Sequence, residues 1–424
     1  MSRLKTDAIR NTSASADALT FDTNGHVTAP GNATITGQLK TAGIRNASAS
    51  SDSITFAADG TCTAKITNNL SNRNLIINGA MNLAQRGTSS TTSGCYSVDR
   101  WQNQYGNIDE APTQAQIALT SSDAGPWEKG FRYALQITNG NQTSGAGAGD
   151  YMESHYRVEA QDMANSGWNY NSVSSKITLS FWVKSSVAQT FYGYLYTADS
   201  TAQQYPFSLG ALSANTWTKV TKTIPGHANI TINNDIGEGF RIAIVPFYGT
   251  TYTDSGVTLD AWGAYSGTAT LPDNTSTWYT TNDATFAITG IQLEVGDVAT
   301  DFEHRSYADE LVRCQRYYQL IANGLANYFA MAYLYVGTVL YAPIRYATPM
   351  RTGPALDYNT GAYYTFYRNN AGDAFETLTW SWANEHSGAL HHSAAAGQIS
   401  GTAGQSGGLF CNHASGKIAL TAEL

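Results

Sequence analysis

Between positions 177 and 184, Ile177, Leu179, Phe181 and Val183 alternate with Thr178, Ser180, Trp182 and Lys184. A period of two puts one set on each face of a strand, with the apolar set inward. Short runs of the same kind recur at 133–137, 216–224, 240–246 and 285–295, separated by clusters of Gly, Asn, Ser and Asp. Short strands with such punctuation predict a β-sandwich or jelly roll. Trp101 and Trp182 lie inside strand-like motifs and are expected in its core.

Ahead of this region the pattern is different. Residues 4–30 and 39–65 are the same text written twice, 35 positions apart, with 15 of 27 aligned residues identical. Repeats near this length signal one supersecondary unit stacked on another. Asn24-Gly25 and Asp59-Gly60 are hairpin-turn dipeptides, so each copy reads as short strands joined by tight turns. The first copy offers only Leu4, Ile9, Leu19, Phe21 and Val27 as sizeable apolar side chains. A segment under about 40 residues rarely folds alone. The expectation is that it shares core with the next copy and with identical segments of sister chains.

A polar junction, ITNNLSNRN (66–74), precedes Leu75-Ile76-Ile77-Asn78-Gly79, where the long second region opens. After it, Ser306-Tyr307-Ala308-Asp309 resembles a capping box, with Asp where Glu or Gln is usual. Tyr307, Leu311, Cys314 and Tyr318 then recur at helical spacing, so a helix is predicted over 306–319, bridging two domains. Acidic residues fall in its first turn and Arg313 and Arg316 later, as the helix dipole favours. Beyond 320 the chain is rich in tyrosine, and Pro343, Pro349 and Pro354 exclude a long helix. Residues 387–409, rich in Gly, Ser, Ala and His, read as a loop-bearing stretch, and KIALTAEL (417–424) as a last strand. Three parts follow: 1–72 as a β-repeat anchor or shaft, 73–305 as the jelly roll, and 306–424 as a helix-led distal β domain.

Composition narrows the classes. Charged residues are 13% and apolar residues 42%; scarce Lys, Glu and Arg beside plentiful Tyr, Thr and Ser indicate an all-β protein. With a net charge of −8 and no Lys/Arg cluster, a phosphate backbone finds no partner, which excludes nucleic-acid binding. No run reaches the ~18 apolar residues of a membrane span. The opening MSRLKTDAIRNTS lacks the apolar stretch of a secretory signal, so assembly in a cytoplasm is expected. Cys62, Cys95, Cys314 and Cys411 match no zinc spacing and read as free thiols.

Three stretches carry a likeness: NLIINGAMNLAQRG (74–87), YSVDRW (96–101) and FAITGIQLEVGDVATDFEHRSYADELVRCQRYY (286–318). Together they resemble tail-fibre proteins of bacteriophages and prophages, marine and cyanobacterial ones among them. In that family a jelly-roll module similar to carbohydrate-binding modules lies mid-fibre, and the last string closes it. The resemblance covers roughly 73–320; the repeats resemble fibre shafts or adaptors more loosely. It implies an elongated homotrimeric virion appendage, docked at its N-terminal end on a tail, baseplate or adaptor protein, that recognises a host surface polysaccharide or lipopolysaccharide.

Sugar recognition needs aromatic faces for CH groups and polar groups for hydroxyls. Loop-like settings nominate Trp168, Tyr170, Trp262, Tyr265, Trp278 and Tyr279. In the distal part the candidates are Tyr363, Tyr364, Trp380 and Trp382, the two tryptophans being two apart and hence on one strand face. Each is readable also as core, rim or subunit contact. Related jelly-roll modules often hold Ca²⁺ at an Asn-Gly-x-x-Glu opening; here Asn78-Gly79-Ala80-Met81-Asn82 puts an amide where the carboxylate is expected, which weakens a hard-cation site. His391 and His392, on opposite faces of a strand, are weak candidates for a metal on a threefold axis. No catalytic residue is nominated. Asp373 and Glu376 stand nearest to the carboxylate pair a glycan depolymerase would need, but they read as a turn into a strand. The reading is a binding protein that is not an enzyme, with two alternatives: a connector fibre without its own receptor site, and a depolymerase.

Overall fold

In the computed structural model the two sequence repeats make the same object twice. Strands β1 (Ala8–Ile9), β2 (Leu19–Phe21) and β3 (Val27–Thr28) form one antiparallel sheet, and β4 (Gly43–Ile44), β5 (Ile54–Phe56) and β6 (Cys62–Ala64) another. Phe21 pairs with Val27 and Phe56 with Cys62, so the strands flank both predicted turn dipeptides. The structure describes residues 72–393 and 398–424 together with these short strands. The turn residues, the packing of the repeats' apolar side chains and the thiol of Cys62 lie outside the described residues. By internal contacts the chain divides into two units, Met1–Asn69 and Leu70–Leu424.

The second unit is all-β in character, with two short helices. Its first part is a sandwich of two six-stranded antiparallel sheets. The first sheet runs, from edge to edge, β15 (Thr218–Pro225), β12 (Lys176–Ser185), β18 (Thr285–Val295), β10 (Tyr133–Thr138), β9 (Thr113–Ala118) and β7 (Ser89–Ser90). The second runs β17 (Gly263–Ala264), β14 (Gln203–Leu212), β13 (Gln189–Thr197), β16 (Glu238–Tyr248), β11 (Tyr151–Glu159) and β8 (Trp101–Gly106). All five strand segments expected from alternation are present.

Ile177, Leu179, Phe181 and Val183 face the common core, where they meet Phe191, Leu195, Phe207, Phe240 and Ile242 of the other sheet. Trp101 is fully buried there. Trp182 is not: the parity that buries Phe181 and Val183 turns it to the outer face, half-buried among Trp127, Phe131 and Trp217.

The helix predicted over 306–319 is α2 (Tyr307–Gln315), following the single-turn α1 (Ala160–Ala164). Ser306 caps it, its hydroxyl accepting from Asp309 N. The buried face differs from the expected one. Glu310 and Cys314 are buried, whereas Tyr307 is exposed and Tyr318 has already entered a strand. The difference is electrostatic, because Glu310 turns inward to Arg305 and the backbone N–H of Asn78.

After α2 come β19 (Tyr318–Asn323), β20 (Tyr328–Val336), β21 (Val339–Arg345), β22 (Ala355–Tyr358), β23 (Tyr364–Arg368), β24 (Ala371–Phe375), β25 (Thr379–Ala383), β26 (Ser387–Ser393), β27 (Ser406–Cys411) and β28 (Lys417–Thr421). They form a three-stranded and a seven-stranded sheet over a second core that includes Leu340, Phe366, Leu390, Leu409 and Leu420. The stretch 387–409, expected to bear loops, has turns and irregular backbone over 398–405, and its two ends form β26 and most of β27. Its glycines serve close packing. A Cβ on Gly388 would lie 2.5 Å from the Trp380 ring, and one on Gly407 2.2 Å from Tyr367 O.

The two cores of this unit meet at a joint built of charge. Arg86 reaches Glu423 at 3.1 Å, and Arg100 pairs with the same carboxylate. The guanidinium of Arg86 lies 3.7 Å over the Tyr318 ring, and that of Arg100 3.4 Å over Tyr317. Gln85 Nε2 donates to Tyr318 O and to Asp99. Arg305 donates to the carbonyls of Asn74 and Ile76. The three stretches that carried the family likeness thus converge on one joint.

Candidate functional site

Strand β13 reads Phe191-Tyr192-Gly193-Tyr194-Leu195-Tyr196. Alternation buries Phe191 and Leu195 and turns all three tyrosines to the outer face of the second sheet. The neighbouring strands complete that face with Arg241, Ala243, Val245 and Tyr248 from β16, and Tyr151, Glu153, His155 and Arg157 from β11. The registers Tyr194↔Ala243 and His155↔Ala243 leave a single methyl between a phenol and an imidazole.

The polar groups are wired to one carboxylate. Glu153 accepts from the Tyr194 hydroxyl at 3.0 Å, the Tyr248 hydroxyl at 2.5 Å and His155 Nδ1 at 2.9 Å. Burial alone would raise its carboxyl, but the hydrogen bond and charge of His155, the hydrogen bond of Tyr248 and the charge of Arg241 hold it down at about 2. Burial, then the charge of Glu153, pushes both phenols well above their ordinary range. Burial also pushes His155 down, against the opposing hydrogen bond and charge of Glu153. A carboxylate so held is neither a general acid nor a free base near neutrality. Its effect is to fix the tyrosine rings.

Around this centre the rings continue. Tyr252 lies 5.3 Å from Tyr248 and 5.7 Å from Tyr151, and Tyr265 packs edge-on to Tyr196 at 5.0 Å. Arg241 holds Glu238 through Nε at 2.6 Å and Nη2 at 2.9 Å, and stands 4.9 Å over the Tyr196 ring. Beside the face a groove of about 450 Å³ is lined by Gln204, Pro206, Asp254, Trp262, Ala264 and Ser266. The result is an aromatic layer closed over at Tyr194 and Tyr248, with Tyr192 and Tyr196 half-buried and Tyr265 exposed at its edge, beside a flanking trough.

Of the nominated residues, Trp262 and Tyr265 fall at this site. Trp262 leans on Tyr205 at 5.3 Å and donates Nε1–H to Pro225 O, and Tyr265 is 43% exposed. Trp168, Trp278 and Tyr279 are core residues. Trp278 donates its indole N–H to Thr285 O, and Tyr279 stacks on Phe247 at 4.2 Å while donating to Asp150. Tyr170 packs on the same core with its hydroxyl donating to Ile232 O. Tyr364 is wholly buried in the distal core, and Tyr363 stacks on His413 at 4.6 Å.

Trp380 and Trp382 do not share a face. Trp380 lies opposite Leu390 and Trp382 opposite Ala389, consecutive residues of β26, because a bulge takes up Ser381. One extra residue breaks the period of two. Trp380 packs on the distal core, and Trp382 is half exposed.

Asn78 works as a turn clamp: its side chain donates to Leu83 O and Asp99 O and accepts from Leu83 N. His391 and His392 do point to opposite sides, one against the Tyr341 ring and the other against Phe375. Among the described residues no three His, Cys, Asp or Glu side chains come together in a way that could hold a metal ion. Cys95, Cys314 and Cys411 are free.

The residues that sequence reasoning missed are Tyr151, Glu153, Tyr192, Tyr194, Tyr196 and Tyr248. The signal was present in FYGYLYT, a tyrosine at every second position.

No protein-family model matches the chain, and no curated protein matches it in sequence. Solved structures similar to part of it include the enzymatically active domain of tailspike protein 4 of bacteriophage CBA120, at 9% identity and TM-score 0.27, covering 53% of this chain and 22% of that one. A CBM4 structure gives 9% identity and TM-score 0.26, with 52% and 98% covered. The N-terminal cellulose-binding domain of Cellulomonas fimi β-1,4-glucanase C gives 11% and 0.25, with 50% and 97% covered. The chain spans about a fifth of the tailspike domain's length.

Proposed function

We propose that the chain is a glycan-binding protein of a phage tail fibre, attaching the virion to a host surface polysaccharide or lipopolysaccharide. The observation that carries the glycan reading is the set of half-buried Tyr192 and Tyr196 and exposed Tyr265, on a layer braced by the buried Tyr194–Glu153 hydrogen bond, beside the trough of Trp262. Phenol faces take the CH side of a sugar, and rings already held in place lose little entropy at binding. Binding without cleavage is proposed, because the carboxylate at the centre of the face is engaged by three donors. The fibre role rests on the resemblance carried by residues 74–87, 96–101 and 286–318. A homotrimer docked through its N-terminal part on a tail protein completes the reading, since three weak sites on one particle gain about 10²–10⁴ in avidity.

The test is affinity electrophoresis of the full chain through gels containing bacterial surface polysaccharides. Retention by one of them, weakened at least about fivefold in Tyr196→Ala with unchanged melting, supports the reading. A folded wild-type protein retained by none of them sinks it, and release of reducing ends would replace binding with hydrolysis. One observation favours a second reading, a connector that grips protein rather than sugar. Tyr328, Met331, Tyr333 and Tyr335 form an exposed apolar row on β20. If the purified trimer does not block phage adsorption yet captures a further tail protein, the connector reading replaces the first.

A further inference from the structure

A second recessed site lies on the opposite side of the sandwich, on the outer face of the first sheet. There β12 and β18 slip register. Ser180 pairs with Gln292 and Trp182 with Thr289, so Gly290 and Ile291 stand against Phe181 alone. Gly290 takes φ +63° at this bulge, and a Cβ on it would lie 2.6 Å from the Phe131 ring. Only glycine lets Phe131 close over the strand. Phe131, Phe302 and His304 form a three-ring wall with centroids 4.8–5.1 Å apart.

Trp182 lines the floor, steadied from one side by Gly125, where a Cβ would meet its six-membered ring at 2.6 Å. Between these parts is a cavity of about 280 Å³, also lined by Ser180, Lys219 and Asp301. Lys219 lies directly opposite Trp182 in the register. Neither its ammonium nor the Asp301 carboxylate has an ion-pair partner among the described residues.

We propose that this cavity binds one neutral pyranose ring, such as the terminal residue of a glycan, separately from the tyrosine face. A half-buried indole fits the CH face of a sugar. A free ammonium, a free carboxylate and the Ser180 hydroxyl around it supply the mixed donors and acceptors that a vicinal diol needs. Lys129 and Lys219 are balanced by Glu128 and Asp301 at the rim, so the lining does not select a charged ligand. The volume is just under the ~300–1,000 Å³ of drug-sized pockets, which suits one ring and not a chain.

The experiment is saturation-transfer NMR on the full chain with methyl glucoside, methyl galactoside, methyl mannoside and, as charged probes, glucuronate and sialic acid. A neutral glycoside is expected to bind with a Kd on the order of millimolar. Lys219→Ala and Asp301→Ala, both at exposed positions, should weaken it at least about fivefold, and Tyr196→Ala should leave it unchanged. Binding lost in Tyr196→Ala but kept in Lys219→Ala and Asp301→Ala assigns the sugar to the tyrosine face and overturns the proposal. Binding of the charged probes alone, or of no probe at tens of millimolar, overturns it as well. Because the two faces have separate variants, either site can fail while the other stands.

Discussion

Arg316 grips Glu159 at both oxygens, Nε to Oε1 at 2.7 Å and Nη2 to Oε2 at 2.8 Å. Glu159 ends a strand of the sandwich, and Arg316 follows the helix that leads into the distal sheets. The carboxylate is fully buried and also takes the Tyr317 hydroxyl, while the guanidinium keeps some contact with water. Arg316→Ala leaves a buried charge short of its cation. Such losses cost ~3–5 kcal/mol in full burial, and the exposure of Arg316 puts this one near the low end. Denaturant melts should show a loss of about 3 kcal/mol, and Glu159→Gln a smaller one.

The same joint has a pH signature. Burial raises the Asp99 carboxyl to about 6, against the opposing hydrogen bonds of Gln85 and the charge of Arg86. Arg86 offsets little because it leans to Glu423 at 3.1 Å and reaches Asp99 only at 3.9 Å. A raised carboxyl means that the folded chain holds a proton the unfolded chain gives up above about 4. Its contribution is full below that pH and is lost as pH rises through about 6. The stability of the wild type minus that of Asp99→Asn should therefore increase on going from pH 7 to pH 4, by an amount on the order of 3 kcal/mol. A flat difference in thermal melts across that range would refute the assignment.

The bulge at Ser381 separates two tryptophans that look equivalent in the sequence. Trp380→Ala removes a ring packed on the distal core and should cost on the order of 2 kcal/mol, less than the ~3–5 of a fully buried ring. Trp382→Ala should stay within about 0.5 kcal/mol, as surface changes do. Equal costs in urea titrations would mean that the pair shares a face after all.

Tyr194→Phe tests the wiring of the tyrosine face. It removes one of three donors to the buried Glu153 without emptying any volume, so a loss of about 1–3 kcal/mol is expected. Tyr192→Phe, which donates no hydrogen bond to Glu153, should be close to neutral. The two melting temperatures decide the point.

Much of the fold was legible because a period of two survives local detail. Residues 285–295 were expected as a strand and form one with the same bounds. The failures came where a motif or the composition was read ahead of strand parity, or where neither says what covers a face. Trp182 was placed in the core by its motif, although its own alternation with Phe181 and Val183 put it outside. Gly388 and Gly407 were counted as signs of a loop, when each marks a place where a ring or a carbonyl comes too close for a side chain. Trp278 and Tyr279 looked loop-borne and polar, yet their indole N–H and hydroxyl find buried acceptors. The tyrosine face was missed because sugar-binding residues were sought in loops and not in the alternation of β13.

The leading repeats make the same three-stranded pattern twice, and each described pairing stays within its own copy. Cutting or duplicating the gene by 35 codons there would leave each described pairing of the surviving strands within one copy. The repeated text is thus a unit of 35 positions whose strand pairings can be removed or copied whole, while the sequence of the sandwich and the distal sheets is untouched.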